Sequence, residues 1–324
     1  MDQVELLGRS VSLYHLPPAL LYAIRPRRSM SRKHPIIAVT GSSGAGTTSV
    51  RRTFDALFES ASINAAFVEG DSFHKYERDE MRDLTDAWER TAGRAISHFG
   101  PEANLFQELE ALFREYGEQG TGKTRLYLHN EERATRHGQK AGTFSPWQPL
   151  PENTDVLIYE GLHGGIVTDD VDIAHHVDLL IGVTPIVNLE WIQKVQRDLR
   201  ERGQSLDVIT ETILRRMPDY VHYITPQFSR THINFQRVPT IDTSNPFATV
   251  GIPTPEESFV VIRFAAPEGS DLDALKSQLG GAFSSRHDTL VVPGAEFDNA
   301  MRLILESRIS DLVDEGRRLR AASV

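Results

Sequence analysis

The run HPIIAVTGSSGAGTTSV, residues 34–50, decides how this chain is read. Its first part, PIIAVT at 35–40, is apolar and partly β-branched, which marks a buried strand. Residues 48–60 then set Val50, Phe54, Leu57 and Phe58 on one helical face. Between the two lies a glycine-rich turn formed by Gly41, Ser42, Ser43, Gly44, Ala45, Gly46, Thr47 and Thr48. Strand, glycine turn and helix in that order are the setting of a phosphate-binding loop. Glycines let successive amides curl round a β-phosphate, the helix N-terminus adds partial positive charge, and a hydroxyl at Thr48 can ligate magnesium. The lysine usual in such loops is missing. Thr47 stands in its place, so the cation for the β- and γ-phosphates has to come from elsewhere.

Outward from this run, residues 65–69 form a second strand that ends in Gly70-Asp71, and residues 156–159 form a third that ends in Glu160-Gly161. Both put a carboxylate at the C-terminal end of a strand, the edge where open α/β sheets bind ligands. Glu160, closing VLIYE, has the position of an acid that holds magnesium or its water. Residues 177–183, 259–264 and 289–292 read as further strands, and 189–202 and 297–320 as helices. Residues 72–150 are richer in charge, Gly, Pro and His, and are expected to form helices and mobile loops over the sheet edge. The expected architecture is an α/β P-loop kinase fold, with a mostly parallel, mixed central sheet covered by helices on both faces.

Composition narrows the function. The 35 basic and 45 acidic residues give a formal charge of −10, against general attraction to nucleic acid or an anionic membrane. An anionic substrate then needs a local basic cluster. With no cysteine, thiolate nucleophiles, thiolate metal sites and disulfide control are excluded, and a cytoplasmic location is expected. The longest early apolar stretch, residues 16–24, falls well short of the roughly 20 residues a membrane-spanning helix needs. The arginines that follow it stand in the wrong order for a secretory signal. Met30 followed by SRKHPIIAVT suggests that residues 1–29 precede the true start. The expectation is an N-terminal extension over 1–30, disordered or upstream of that start, and a single domain over 31–324.

From GDSFH, residues 70–74, onward the chain resembles one family in particular. EGDSFHKYER (69–78), SHFGPEAN (97–104), FREYGEQGTGKTRLYLHN (113–130), YEGLHGG (159–165), NLEWIQKVQRDLRERG (188–203) and PQFSRTHINFQRVPTIDTSNPF (226–247) are similar to bacterial, class I, phosphoribulokinase. The resemblance covers residues 31–315 and includes the loop without lysine. It implies transfer of the ATP γ-phosphate, with Mg2+, to the 1-hydroxyl of D-ribulose 5-phosphate, giving ribulose 1,5-bisphosphate for the Calvin cycle. It places the catalytic base at Asp71, a role that suits a strand-end carboxylate beside a γ-phosphate. It assigns sugar-phosphate contacts to His74 and Arg78, which share a face if their stretch is helical.

Lys194, Asp198 and Arg202 fall at i, i+4 and i+8, with Arg197 adjacent. Taken alone, such spacing describes a salt-bridged solvent face. The resemblance instead makes Lys194, Arg197 and Arg202 substrate and phosphate cations and gives Asp198 to the metal. Such cations would replace the electrostatics of the missing lysine.

The same resemblance implies activation by NADH, inhibition by AMP and a homo-oligomer, an octamer. Arg263 in VVIRF and Arg286 in SSRHD match arginines of the NADH response, whereas its third basic position falls near Glu59-Ser60, where no arginine stands. A weakened or altered response is therefore expected. Two rival readings are a uridine kinase, disfavoured by DSFHKYER and NLEWIQK, and a catalytically silent nucleotide-binding regulator, disfavoured by Asp71, Glu160 and the cluster at 194–202.

Overall fold

The computed structural model describes residues 3–6, 9–12, 32–41, 47–92, 95–248, 251–267 and 270–323. The chain divides into two units, Met1–Met30 and Ser31–Val324. In the first, Gln3–Leu6 pairs antiparallel with Arg9–Ser12.

In the second unit the expected strands form one eight-stranded sheet with two additions. In chain order they are β1 (Ile36–Gly41), β2 (Ala65–Glu69), β3 (Val156–Gly161), β4 (Leu179–Val183), β5 (Ile233–Pro239), β6 (Ser258–Phe264), β7 (Phe283–Arg286) and β8 (Thr289–Pro293). Across the sheet the order is β7-β8-β6-β5-β4-β1-β3-β2. Strands β2, β3, β1, β4 and β5 run parallel. From β5 onward each next neighbour, β6, β8 and β7, is antiparallel to the one before it. The added strands are β5 and β7.

The helices follow from apolar spacing. On one face lie α1 (Thr47–Ala61) and, much later in the chain, α9 (Phe297–Ala321). Val50, Phe54, Leu57 and Phe58 of α1 and Met301, Ile304, Leu305 and Ile309 of α9 pack there against Ile37, Val39, Ile158 and Ile181. The opposite face is covered by α3 (Phe106–Gln119), whose Phe106, Leu109, Leu112, Phe113 and Tyr116 meet Ile36, Ala38, Tyr159 and Leu180. Before it, α2 (Arg78–Ala92) lies in the 72–150 region, and α4 (Glu131–Arg136) lies after it. Each fully buried side chain of this kind contributes about 1.5–3 kcal/mol. β1 is covered on both faces and flanked on both edges, so Ile36, Ile37 and Ala38 are fully buried. An unbroken apolar run is what such a position demands.

The remaining helices are α5 (Val187–Arg202), α6 (Leu206–Asp219), α7 (Thr225–Phe228) and α8 (Leu272–Gln278). α6 contains Pro218, which has no N–H for the helical ladder, and just past it the backbone widens into a π turn, Tyr220–Ile224, before α7. Beyond this bend Gln227, fully buried, joins two segments. Its side chain takes the Gly165 N–H and donates to the Leu162 carbonyl, while Thr40 at the end of β1 meets both Leu162 and Gln227. Among the described residues no helix is long and apolar enough to cross a membrane.

Candidate active site

β1 leads to β2 on one side, beyond β3, while β4 lies on its other side. Such a reversal opens a crevice at the C-terminal ends of the strands. β1 ends there in Gly41, where a Cβ would stand 2.2 Å from the carbonyl oxygen of Val183 at the end of β4. The first glycine of the loop is thus demanded by strand packing, whatever the loop binds. The expected phosphate-loop residues Ser42, Ser43, Gly44, Ala45 and Gly46 lie outside the described residues. Thr47 and Thr48 open α1, with side chains also outside them.

Glu160 sits on β3 directly between Val39 of β1 and Glu69 of β2. Alternation along β3 puts Tyr159 with the α3 face and Ile158 with the α1 face, so Glu160 takes the α1 side, where Thr48 begins its helix. Magnesium in phosphoryl-transfer sites is held by one or two carboxylates together with substrate phosphates, an arrangement that this donor set fits. After these acids the two strand ends touch. A Cβ on Gly70 would lie 2.8 Å from the Cα of Gly161, and one on Gly161 would lie 2.7 Å from the Cα of Gly70.

Gly70 starts a 3-10 turn, Gly70–Phe73, that carries Asp71. Oδ1 of Asp71 is 3.1 Å from Nε2 of His74, and Oδ2 is 3.1 Å from Nε2 of His129. The other nitrogen of His74, Nδ1, is 2.8 Å from Oδ1 of Asn104. Burial pushes the Asp71 carboxyl up, but hydrogen bonds from His129 and His74 outweigh it and hold the group well below its usual range. Burial alone would lower His74; its bonds to Asp71 and Asn104 reverse this and raise it. Two further histidines lie close by. His98 stacks at a ring separation of 4.5 Å from His74, and burial, with the charge on His74 next, holds it well below the usual value. Burial lowers His163 to about 3. Hydrogen bonding thus favours the charged form of His74 and of Asp71, while burial favours the neutral form of His98 and His163.

The segment after α3 locks this turn from outside. Arg125 donates from Nε to the Ser72 carbonyl at 2.9 Å and from Nη2 to the His74 carbonyl at 2.6 Å, and its guanidinium lies 3.6 Å from the centre of the Phe144 ring. Arg133 of α4 pairs with Glu69 at 2.7 Å. Arg78 opens α2 and donates to the carbonyl of His129 at 2.7 Å. Gly142, at φ +87°, packs against it where a Cβ would come within 2.7 Å of the Arg78 Cβ. The stretch from His74 to Arg78 is not helical, because His74 has the extended ψ of 143° and α2 starts only at Arg78. The shared helical face expected for these two residues is therefore absent: His74 meets Asp71, whereas Arg78 meets the His129 carbonyl. Asn104, Arg125 and His129 escape sequence reasoning, since each reaches the turn from a distant segment; only their place inside the family-like runs marked them.

On α5, Asp198 is 1% exposed, with Lys194 on its Oδ2 and Arg197 Nε 3.2 Å from its Oδ1. Trp191, stacked on Phe247, together with Ile209 and Ile213 of α6, packs around Val195 on this helix. Burial lowers the Lys194 ammonium despite its bond to Asp198. The side chain of Arg202 lies outside the described residues. Arg216 of α6 stands close enough to depress both Lys194 and His98, which links this cluster electrostatically to the one around Asp71.

Arg263 on β6 and Arg286 on β7 pair in register with the same residue, Thr289 of β8, from its two sides. Arg263 also donates to the Phe228 carbonyl at 3.0 Å and to the Thr231 hydroxyl at 3.1 Å. Phe228 ends α7, so β6 is tied to the end of the π-containing bend.

A mostly parallel sheet of this order, with a glycine-rich sequence between its central strand and a helix, is a P-loop kinase fold. The sequence model of the Phosphoribulokinase / Uridine kinase family matches residues 36–244, and the chain belongs to that family. It is 56% identical over 293 residues to the plasmid phosphoribulokinase of Cupriavidus necator, covering 90% of this chain and 100% of that one. It is 55% identical over 289 residues to the phosphoribulokinase of Nitrobacter vulgaris, covering 89% of this chain and 100% of the relative. The solved phosphoribulokinase from Rhodobacter spheroides superposes with a TM-score of 0.82 at 47% identity, covering 88% of this chain and 99% of that one.

Proposed function

We propose that this chain is a phosphoribulokinase that transfers the γ-phosphate of ATP to the 1-hydroxyl of D-ribulose 5-phosphate, giving D-ribulose 1,5-bisphosphate and ADP for the Calvin cycle. The observation that carries the reading is Asp71, an ionised carboxylate in a strand-end turn, with one oxygen against each of two imidazoles. Identity above one half over full-length phosphoribulokinases supports the choice of acceptor.

Asp71 orients the attacking hydroxyl and takes its proton. A carboxylate held this acidic is a weak base for an early proton transfer. It suits a loose transition state, in which the hydroxyl becomes acidic only as its bond to phosphorus forms. Each oxygen of Asp71 keeps a lone pair beyond its histidine contact and so can accept the substrate O–H. Lys194 and Arg197, with Arg202, meet the negative charge spread over the transferring phosphoryl and supply what the loop lacks at Thr47. Arg78 and His129 flank the entrance to Asp71 and take the sugar phosphate. His74 already has both nitrogens engaged and acts on the carboxylate rather than on the sugar.

Gly41 to Thr48 cradle the ATP phosphates, and Thr48 and Glu160 hold Mg2+, which when bound neutralises charge on the β- and γ-phosphates. Assigning Asp198 to the metal as well requires Lys194 to leave its Oδ2 when MgATP arrives. The kinase domain is taken as 31–324, in the cytoplasm and as a homo-oligomer, with Arg263 and Arg286 as the remains of an NADH site. The test is to incubate the protein with MgATP and ribulose 5-phosphate or uridine in parallel and to identify the product by mass. Ribulose bisphosphate alone is expected; a product only from uridine overturns the reading.

A further inference from the structure

Asn104, the last residue of SHFGPEAN, is 5% exposed. Its side-chain nitrogen donates to the carbonyls of His98 at 3.0 Å and Gly100 at 2.6 Å. Carbonyls only accept, so the amide has one permitted orientation, and its oxygen must face His74. That oxygen stands 2.8 Å from Nδ1 of His74, which therefore has to carry a proton. The opposite nitrogen, Nε2, faces a carboxylate oxygen at 3.1 Å and also has to donate. A neutral imidazole has one N–H, which leaves one of these two acceptors facing a lone pair. Only the imidazolium satisfies both.

We propose that Asn104 is a positioning residue for phosphoryl transfer, acting through His74: its fixed amide oxygen holds the ring doubly protonated, so that a positive charge stays against the catalytic carboxylate of Asp71. This rests on the role given to Asp71 above. The benefit is electrostatic. When ATP and a sugar phosphate enter, their negative charges favour protonation of Asp71, and a protonated acid can neither orient nor accept from the hydroxyl. A neighbouring imidazolium that cannot drop its proton cheaply counters that effect.

The groups facing His74 are consistent with a single local charge. Asp71 lies on its own turn. His98, from the loop before Asn104, stacks on it, and His163, from the loop after β3, adds to its surroundings; burial keeps both neutral. Arg125 grips the His74 carbonyl, and its charge opposes that of the ring. Tyr127 meets the ring edge-on with centroids 6.2 Å apart. His129 reaches only the far oxygen of Asp71.

The experiment combines pH profiles of kcat and kcat/KM with solid-state 15N NMR of histidine-labelled protein, the His74 signals being identified by their loss in His74→Gln. In the unsubstituted protein His74 is expected to be doubly protonated at pH 6.5, the ordinary midpoint of a histidine. Asn104→Leu is expected to lower kcat by about 10- to 100-fold, the usual effect of losing a group that orients a functional side chain. It is also expected to narrow the profile from both sides. The alkaline limb falls because the imidazolium has lost an acceptor, and the acid limb rises because Asp71 has lost its charged neighbour. A singly protonated His74 at pH 6.5 overturns the proposal without any variant. So does an Asn104→Leu enzyme that is slower with unshifted limbs, which would mark a merely structural residue. If Asn104→Leu fails to fold, the parent spectrum decides. If no ribulose bisphosphate forms, the function fails while the spectrum still tests the ring.

Discussion

Oδ2 of Asp71 and Nε2 of His129 lie 3.1 Å apart, on the side of the carboxylate that His74 does not cover. The His129 side chain is 48% exposed, whereas that of His74 is 8% exposed, so the carboxylate is more open on its His129 side. Asp71→Asn is expected to lower kcat by about 10²–10⁴-fold, the contribution of a positioned base, while ATP affinity is kept. Steady-state turnover beside equilibrium nucleotide binding measures both. Undiminished turnover would remove Asp71 from its assigned role.

The buried Asp198 makes a second prediction possible. Removing one partner of a buried ion pair leaves an uncompensated charge and costs about 3–5 kcal/mol, less here because Arg197 remains. Lys194→Met is expected to lower both the urea midpoint and kcat. Adding Asp198→Asn should recover part of the midpoint and none of the activity. Joint recovery of activity would show that Lys194 serves only to neutralise Asp198.

Asp178 offers a pH-dependent test away from the site. Burial raises its carboxyl to about 6, although its Oδ2 accepts from the N–H of Ile36 at 2.8 Å. A raised native value means that the stability from this group is fully present below 3.8 and is lost as the pH climbs through about 6. Asp178→Asn keeps an acceptor without a charge. It should match the parent near pH 4 and exceed it at pH 8 by up to about 3 kcal/mol, the equivalent of that shift. Urea unfolding at the two pH values measures the gap, and an equal difference at both contradicts it.

Regulation is tested by adding NADH and AMP to the assay. Arg263 is bonded to Phe228 and Thr231, and the position near Glu59-Ser60 has no arginine. A weak response is therefore expected, and strong activation by NADH refutes it.

Most of the sheet was legible because central parallel strands such as 35–40 are apolar without interruption, and α1, α5 and α9 repeat their apolar residues at helical spacing. β5 was not. INFQRVP alternates buried Ile233 and Phe235 with half-buried polar residues, and no glycine punctuates its start. β7 is exposed at all four positions and gives no burial signal. In the candidate site, the strand-end acids and the spacing of Lys194 and Asp198 follow from local geometry. Asn104 meets His74, and His129 meets Asp71, across 30 and 58 residues of chain, contacts that no local period encodes. His74 and Arg78 show the converse, a helical spacing in sequence that the turn at residues 70–73 breaks.

Gly70 and Gly161 approach each other until each Cα occupies the space of the other's missing side chain. Asp71 and Glu160, the base and the magnesium ligand proposed above, therefore ride on a single joint with no slack in it. In a library randomised at both positions, survivors of selection for activity should carry glycine at both, and no second change should rescue alanine at either. The separation of the two acids is set by hydrogen atoms, and drift at one strand end cannot be absorbed by the other.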